Sequence, residues 1–295
     1  MPEGFWFAFG AYALWGLLPI FWKLLQAVPS FQILLHRMVW SLGFLLLILL
    51  IQNDWRWLRP LLKERKTLLI YLLAACLLAV NWGIYIWAVN AGFIVETSLG
   101  YFISPLVSVC VGVVVFKESL RKGQWLAVLV AAIGVVFLTL VYGRLPWIAL
   151  SLAVSWNLYA SVKKFAPLTS LRGLTLETAI LFPPALATLL YLQNAGAGSF
   201  GQLGVDRDLL LVASGVVTAL PLIFFTAAAK RLPLSTLGIM QYLAPTLQLG
   251  VGIFIYHEYF DVSRLVGFGI IWASLVVFTL EGLRYRRRRV GLAAS

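Results

Sequence analysis

The segment Phe102–Glu118 returns 140 residues later as Tyr242–Glu258. The first copy reads FISPLVSVCVGVVVFKE and the second YLAPTLQLGVGIFIYHE, so Pro105 meets Pro245, Gly112 meets Gly252 and Glu118 meets Glu258. Each copy is a long apolar stretch that ends on a glutamate. A chain doubled in this way can fold only into something built from two related units. Membrane spans repeated within one chain are the main sequence-level sign of a transport architecture.

Composition decides what surrounds those units. Apolar residues make up 62% of the chain and charged residues 12%, whereas soluble domains carry about 45–50% and about 25%. A single soluble core stops growing near this length and cannot hide so much apolar surface. Lipid is therefore the solvent for most of it, and no room remains for a soluble module. The net charge of +12 would suggest nucleic acid in a soluble protein. Here the aromatic residues lie inside uncharged runs of about 20 residues, unlike the exposed platforms that bind single strands, so nucleic acid is excluded as a partner. Cys76 and Cys110 both fall inside apolar stretches, which indicates neither a disulfide framework nor a metal spacing. The first apolar run lacks a basic leader and a cleavage site, and reads as a retained span.

Apolar stretches fall at 4–25, 31–52, 67–89, 97–116, 124–142, 145–162, 173–192, 208–229, 234–256 and 264–283. The fold class expected is an all-α membrane protein of ten transmembrane helices, since helices satisfy their own backbone in lipid and alternating barrel segments are absent. Basic residues alternate between connections. Arg56, Arg59, Lys63, Arg65 and Lys66 fall in one, Lys117, Arg121 and Lys122 in the next but one, then Lys163, Lys164 and Arg172, then Lys230 and Arg231, and the tail carries Arg284 and Arg286–Arg289. The other connections hold at most one basic residue each: Lys23, Arg144, Arg207 and Arg264. The positive-inside rule puts the first set and both termini in the cytoplasm of a bacterial inner membrane. Five spans per half then oblige the second half to enter from the opposite side. The expectation is two inverted five-helix repeats, 1–142 and 143–284, followed by a basic tail at 285–295, related by an axis in the membrane plane.

Polar residues inside the spans mark the expected site. Thr97, Tyr101, Ser104 and Ser108 share one face of the fourth span, and Gln241, Pro245, Gln248 and Gly252 the matching face of the ninth, with Tyr242 beside it. Asn81 with Tyr85, Asn157, and Trp15 extend this set. A polar, aromatic-rimmed cavity between the halves accounts for them together, although each alone suits interhelical hydrogen bonding equally well. His36 and Arg37 lie in the second span, and Arg37 meets Glu177 at the same offset of 140. Such charges are costly in lipid and serve a cavity, a pair or a proton relay, unless they snorkel to the nearer interface. Proton coupling, if the solute uses it, falls to His36, Arg37 and Glu177. Pro105 and Pro245 are the repeat-related hinge candidates, and Glu118 and Glu258 the gate candidates at opposite membrane faces.

The chain lacks the phosphate loop G-x-x-x-x-G-K-[ST], and His257–Glu258 is followed by Asp261 where a zinc protease needs histidine. Direct ATP drive, a resident metal and a cofactor are therefore not expected, and an enzyme is the weaker class. The segment SLGYFISPLVSVCVGVVVFKESLRKGQWLAVLVAAIGV (98–135) and its second copy TLGIMQYLAPTLQLGVGIFIYHEYF (236–260) resemble the EamA repeat of the drug/metabolite transporter superfamily. LLHRMVWS (34–41), NWGIYIWAVN (81–90), ETSLGYFISP (96–105) and LSTLGIMQYLAPT (234–246) resemble its RarD branch, which more often has Asn where this chain has Ser104. The resemblance implies a ten-helix permease with both termini inside that effluxes or exchanges small metabolites or drug-like compounds. An amphipathic solute such as an amino acid suits the aromatic, sparsely charged cavity. The rival class is a non-transporting membrane scaffold or sensor.

Overall fold

The computed structural model describes residues 3–53, 55–61, 64–117, 122–163, 165–229, 231–232 and 240–293. Among the described residues the chain is helical throughout and no strand occurs. The helices are α1 (Glu3–Leu24), α2 (Ser30–Gln52), the single turn α3 (Leu58–Leu61), α4 (Arg65–Asn90), α5 (Ile94–Phe116), α6 (Lys122–Tyr142), α7 (Trp147–Lys163), α8 (Ser170–Asn194), α9 (Val205–Ala229), α10 (Leu243–Gly250) and α11 (Val262–Ala293). Seven of them, α1, α2, α4, α6, α8, α9 and α11, contain segments long and apolar enough to cross a membrane. Of the other expected spans, α5 has 23 residues, α7 only 17, and α10 continues into a π-helical turn at Val251–Ile255.

The outward faces of these helices are as apolar as their inward ones. Leu50, Ile51, Leu69, Ile133, Val136 and Leu140 are all more than half exposed, a pattern that water would not tolerate and that a helix ringed by lipid requires. Inside, contacts depend on small residues. A Cβ on Gly215 of α9 would stand 2.4 Å from the Trp40 carbonyl of α2, and one on Gly100 of α5 would stand 2.8 Å from the Ala149 carbonyl of α7. At these two crossings backbone touches backbone, which only glycine permits.

The order of packing is interleaved. α1 and α2 both lie on α9, α4 on α7 and α8, α5 on α7, and α1 on α10, while α2 meets α8, α5 meets α10 and α6 meets α11. The proline-bearing helices remain helical through Pro19, Pro105 and Pro221. The two copies of the repeat also share a backbone detail. Lys117 and His257, one residue before the paired glutamates, have φ of 52° and 50°, the left-handed region that non-glycine residues rarely visit.

Candidate functional site

The described helices bring most of the expected residues to three places. The first is an aromatic box around Arg37. This residue is 5% exposed, and its guanidinium lies 3.8 Å from the ring centre of Trp82 on α4 and 5.1 Å from that of Trp22 on α1. Tyr85 and Tyr101 close the cluster, edge to face at 6.0 Å. His36, one residue earlier, stacks on Phe200 at 5.3 Å. Arg37 therefore does not snorkel: the long side chain is enclosed by rings from neighbouring helices.

The second place is the seam of α7 with α4 and α5. Asn81 Nδ2 donates to the Leu152 carbonyl at 3.1 Å and to Ser155 Oγ at 2.9 Å. Asn157 Nδ2 sits among three acceptors, the Ser104 hydroxyl at 2.9 Å, the Ser104 carbonyl at 3.0 Å and the Ala153 carbonyl at 2.8 Å. Pro105 lacks the N–H that would bond the Tyr101 carbonyl, so these contacts to Ser104 stand beside a break in the α5 ladder. Across the repeat, Gln248 Nε2 of α10 donates to the Trp15 carbonyl of α1 at 3.1 Å. Trp15 also packs on Tyr12 and Phe225, each at 5.7 Å. These amides act as ties between helices in this conformation. Gln241 is exposed beside Tyr242, and Tyr242 packs against the cluster that includes Leu99 and Phe102 of α5.

The third place lies at the expected outer end. A cleft of about 290 Å³ is lined by Gly92, Phe93, Val95, Glu96, Arg144, Glu258, Tyr259 and Arg264. The π-helical turn carries Gly252 close to the start of α5, where a Cβ would stand 3.0 Å from Val95 Cγ2. The chain then doubles back through His257, and Glu258 accepts the Ile94 and Val95 amides at 2.7 and 2.8 Å. Those are first-turn N–H groups with no partner inside their own helix. Glu258 is thus an N-terminal cap lent to α5 by a segment 164 residues away in sequence. Burial pushes its carboxyl above the usual carboxylate range, against the opposing pull of the two amides and of Lys23 and Arg264. Glu96 repeats the device: it accepts the Ile148 amide of α7 at 3.2 Å and pairs with Arg144 at 3.5 Å. Glu118 lies outside the described residues.

Glu177 stands apart from Arg37. It is fully buried and held by Lys163 Nζ at 2.5 Å and the Tyr159 hydroxyl at 3.0 Å. The repeat offset thus marks equivalent positions, which here take different partners. Sequence reasoning counted Lys163 only as a connection charge and passed over Trp22, Trp82 and Glu96. A glutamate in the first turn of an apolar helix, and tryptophans in spans flanking a buried arginine, were the available signals.

Residues 2–140 match the EamA-like transporter family. Along 285 residues the chain is 48% identical to "Protein RarD" of Streptomyces exfoliatus, covering 97% of this chain and 90% of that protein. It is 46% identical to "Uncharacterized transporter YojE" of Bacillus subtilis, over 94% and 93% of the two chains, and 38% identical to "Protein RarD" of Escherichia coli, over 97% of each. A solved crystal structure aligns with 96% of this chain and 98% of its own at a TM-score of 0.61 and 19% identity, a likeness of fold alone. Helices, apolar exterior and relatives together define a multi-pass membrane transporter. Within that class, the chain belongs to the EamA-like transporter family, in its RarD branch.

Proposed function

We propose that this protein is a secondary transporter of the bacterial inner membrane. It moves a small metabolite or drug-like amphipathic solute, by export or exchange, through alternating access between two inverted five-helix halves. The halves are 1–142 and 143–284, with both termini and the 285–295 tail in the cytoplasm. The interleaved packing carries this reading. Under the offset of 140, α1 corresponds to α7, α2 to α8, α4 to α9, α5 to α10 and α6 to α11. The pair α1 with α9 then becomes α7 with α4, α2 with α9 becomes α8 with α4, and α5 with α7 becomes α10 with α1. All of these pairs are present, and the self-paired crossings α2–α8, α5–α10 and α6–α11 are present too. A pseudo-two-fold relation produces this pattern, and two similar half-gates that exchange roles are what alternating access needs.

In this mechanism the solute site lies between the halves, with Trp15, Arg37, Asn81, Tyr85, Tyr101, Ser104, Asn157, Gln241 and Tyr242 toward the lining. Glu177, ion-paired near the other end of the bundle, is the candidate for proton coupling. Pro105 and Pro245 supply the hinges. Glu258 closes the outer gate by capping α5, and the repeat gives Glu118 the corresponding duty on the inner side. Charge movement is not required for passive exchange. Flux of labelled solute pools into sealed vesicles containing the purified protein tests the assignment. Tyr101→Ala and Gln241→Ala should both reduce it, and undiminished flux in both would remove the cavity from between the halves. A scaffold or sensor would bind without any flux.

A further inference from the structure

Among the described residues, Arg37 has no counter-ion. Its Nε and Nη1 are buried and meet no acceptor, and its near neighbours are the faces of Trp22 and Trp82. Ring faces offset part of the charge when desolvated, but less than burying an ion in a protein costs. The buried or capping acids among the described residues are engaged elsewhere. Glu177 is held by Lys163 and Tyr159, Glu96 by Arg144 and the Ile148 amide, Glu258 by two α5 amides, and Asp208 by the Gly201 amide.

The surrounding box repeats the imbalance. Trp22 Nε1 and the Tyr85 hydroxyl are also buried without partners. Indole and guanidinium can only donate, and a phenol donates readily. Four unpaired polar atoms therefore stand close to one another on three residues, and none belongs to an obligate acceptor. In a membrane interior, ionisable groups face the bundle interior and mark substrate or ion pathways. What completes this cluster must bring lone pairs and negative charge, and a flat apolar body to lie against Trp82, Tyr85 and Tyr101. A single guanidinium balances one negative charge, which favours a monoanion, and the planar carboxylate matches guanidinium hydrogen bonding.

On the premise that the chain is a transporter, we propose that Arg37 anchors the carboxylate of the transported solute, so that the cargo is a monocarboxylate or amino acid and not a bare amine. The stacking on Trp82 holds the guanidinium in place while the site is empty, and the carboxylate takes up the idle donors on arrival.

The test uses matched compounds on the purified full-length protein. 3-Phenylpropionate, phenylalanine and phenethylamine share an aryl body and differ in charge, and inorganic phosphate supplies an anion without carboxylate geometry. The acid and the amino acid should raise the melting temperature of the wild type, while the amine and phosphate should not. Arg37→Gln should weaken binding of both carboxylates by about tenfold to a hundredfold, the range for losing a charge-assisted hydrogen bond. Arg37→Lys, which keeps the charge, should lie between and serves if the glutamine variant does not fold. The inference is overturned if the amine stabilises as well as the acid, if phosphate alone does so, if no carboxylate stabilises the wild type, or if the variants bind carboxylates normally. Counterflow in vesicles separates this from the transport premise. Flux of the amine untouched by Arg37→Gln would keep the transporter and discard the anchor. Carboxylate binding that depends on Arg37, with no flux of any compound, would keep the anchor and discard transport.

Discussion

Removing the carboxylate of Glu258 should loosen one end of the bundle by a calculable amount. Its two oxygens accept the Ile94 and Val95 amides at 2.7 and 2.8 Å. Each hydrogen bond to a charged group contributes about 1.5–3 kcal/mol, so about 3–6 kcal/mol is the ceiling for Glu258→Ala. The bonds face a cleft of about 290 Å³ that water can enter, and water replaces much of what is lost. Measured losses of helix N-terminal caps run near 0.5–2 kcal/mol, which sets the expectation for Glu258→Ala at about 2 kcal/mol. Glu258→Gln keeps one acceptor but turns a donor toward an amide, and should cost about 1 kcal/mol on the same scale. Denaturation of the detergent-solubilised protein by added dodecyl sulfate, followed by helical circular dichroism, reads both. The pH dependence gives a second check. Burial holds the Glu258 carboxyl above its ordinary value of 4.5, so the folded state keeps the proton more tightly than the unfolded chain. The stability of the wild type relative to Glu258→Gln should therefore be greatest below 4.5 and fall as pH rises through the raised value. A Glu258→Ala variant within about 0.5 kcal/mol of wild type, the range of ordinary surface substitutions, would refute the capping argument, and a pH-independent difference would refute the electrostatic one.

Lys163→Met should strand Glu177, which is fully buried, and cost about 3–5 kcal/mol; combining it with Glu177→Gln should restore most of that in the same denaturation assay, and an additive double variant would contradict the pairing. Gly215→Leu should prevent α9 from reaching the α2 backbone at Trp40 and abolish recovery of folded protein on size-exclusion chromatography, whereas Gly269→Leu, with no atom within 4 Å of its Cβ position, should be recovered normally. Asn157→Ala should cost about 0.6–1.7 kcal/mol, the range of interhelical hydrogen bonds in membranes, and Ser104→Ala less, because the Ser104 carbonyl remains an acceptor for Asn157.

The helices themselves were legible because lipid writes the same instruction along every span. The apolar stretches 31–52, 145–162 and 208–229 correspond to Ser30–Gln52, Trp147–Lys163 and Val205–Ala229, and differences of a few residues reflect how helix ends fray. The site was legible as a set of residues but not as a set of contacts. Arg37 and Glu177 match at the repeat offset, yet symmetry places equivalent residues in equivalent surroundings and brings them together only where they lie on the axis. Glu177 found Lys163 fourteen residues along the chain instead, and Arg37 found the tryptophans. The cap of α5 by Glu258 spans 164 residues, and nothing local in the sequence encodes a hydrogen bond made at that distance. The π-helical turn was equally hidden, since VGIFI carries no residue that forbids an ordinary helix.

At that turn the two copies part. Phe102–Glu118 begins as α5 and stays α-helical to Phe116, while the second copy widens over Val251–Ile255 before reaching the same left-handed residue. Extra residues per turn shift everything downstream, and here the shift delivers Gly252 and Glu258 to the start of α5. In the transport mechanism proposed above, opening the outer end must break that cap. With the outer end closed, the two amide bonds hold Glu258 against the start of α5. Once the cleft widens, solvation of the carboxylate and the freed amides replaces most of what was lost. A cap of this kind resists the first small separation and then offers little further resistance, so it favours two discrete positions over a continuum. Alternating access asks for that discreteness, and it comes from exchanging protein hydrogen bonds for water, with proline and glycine serving only to let the helices bend.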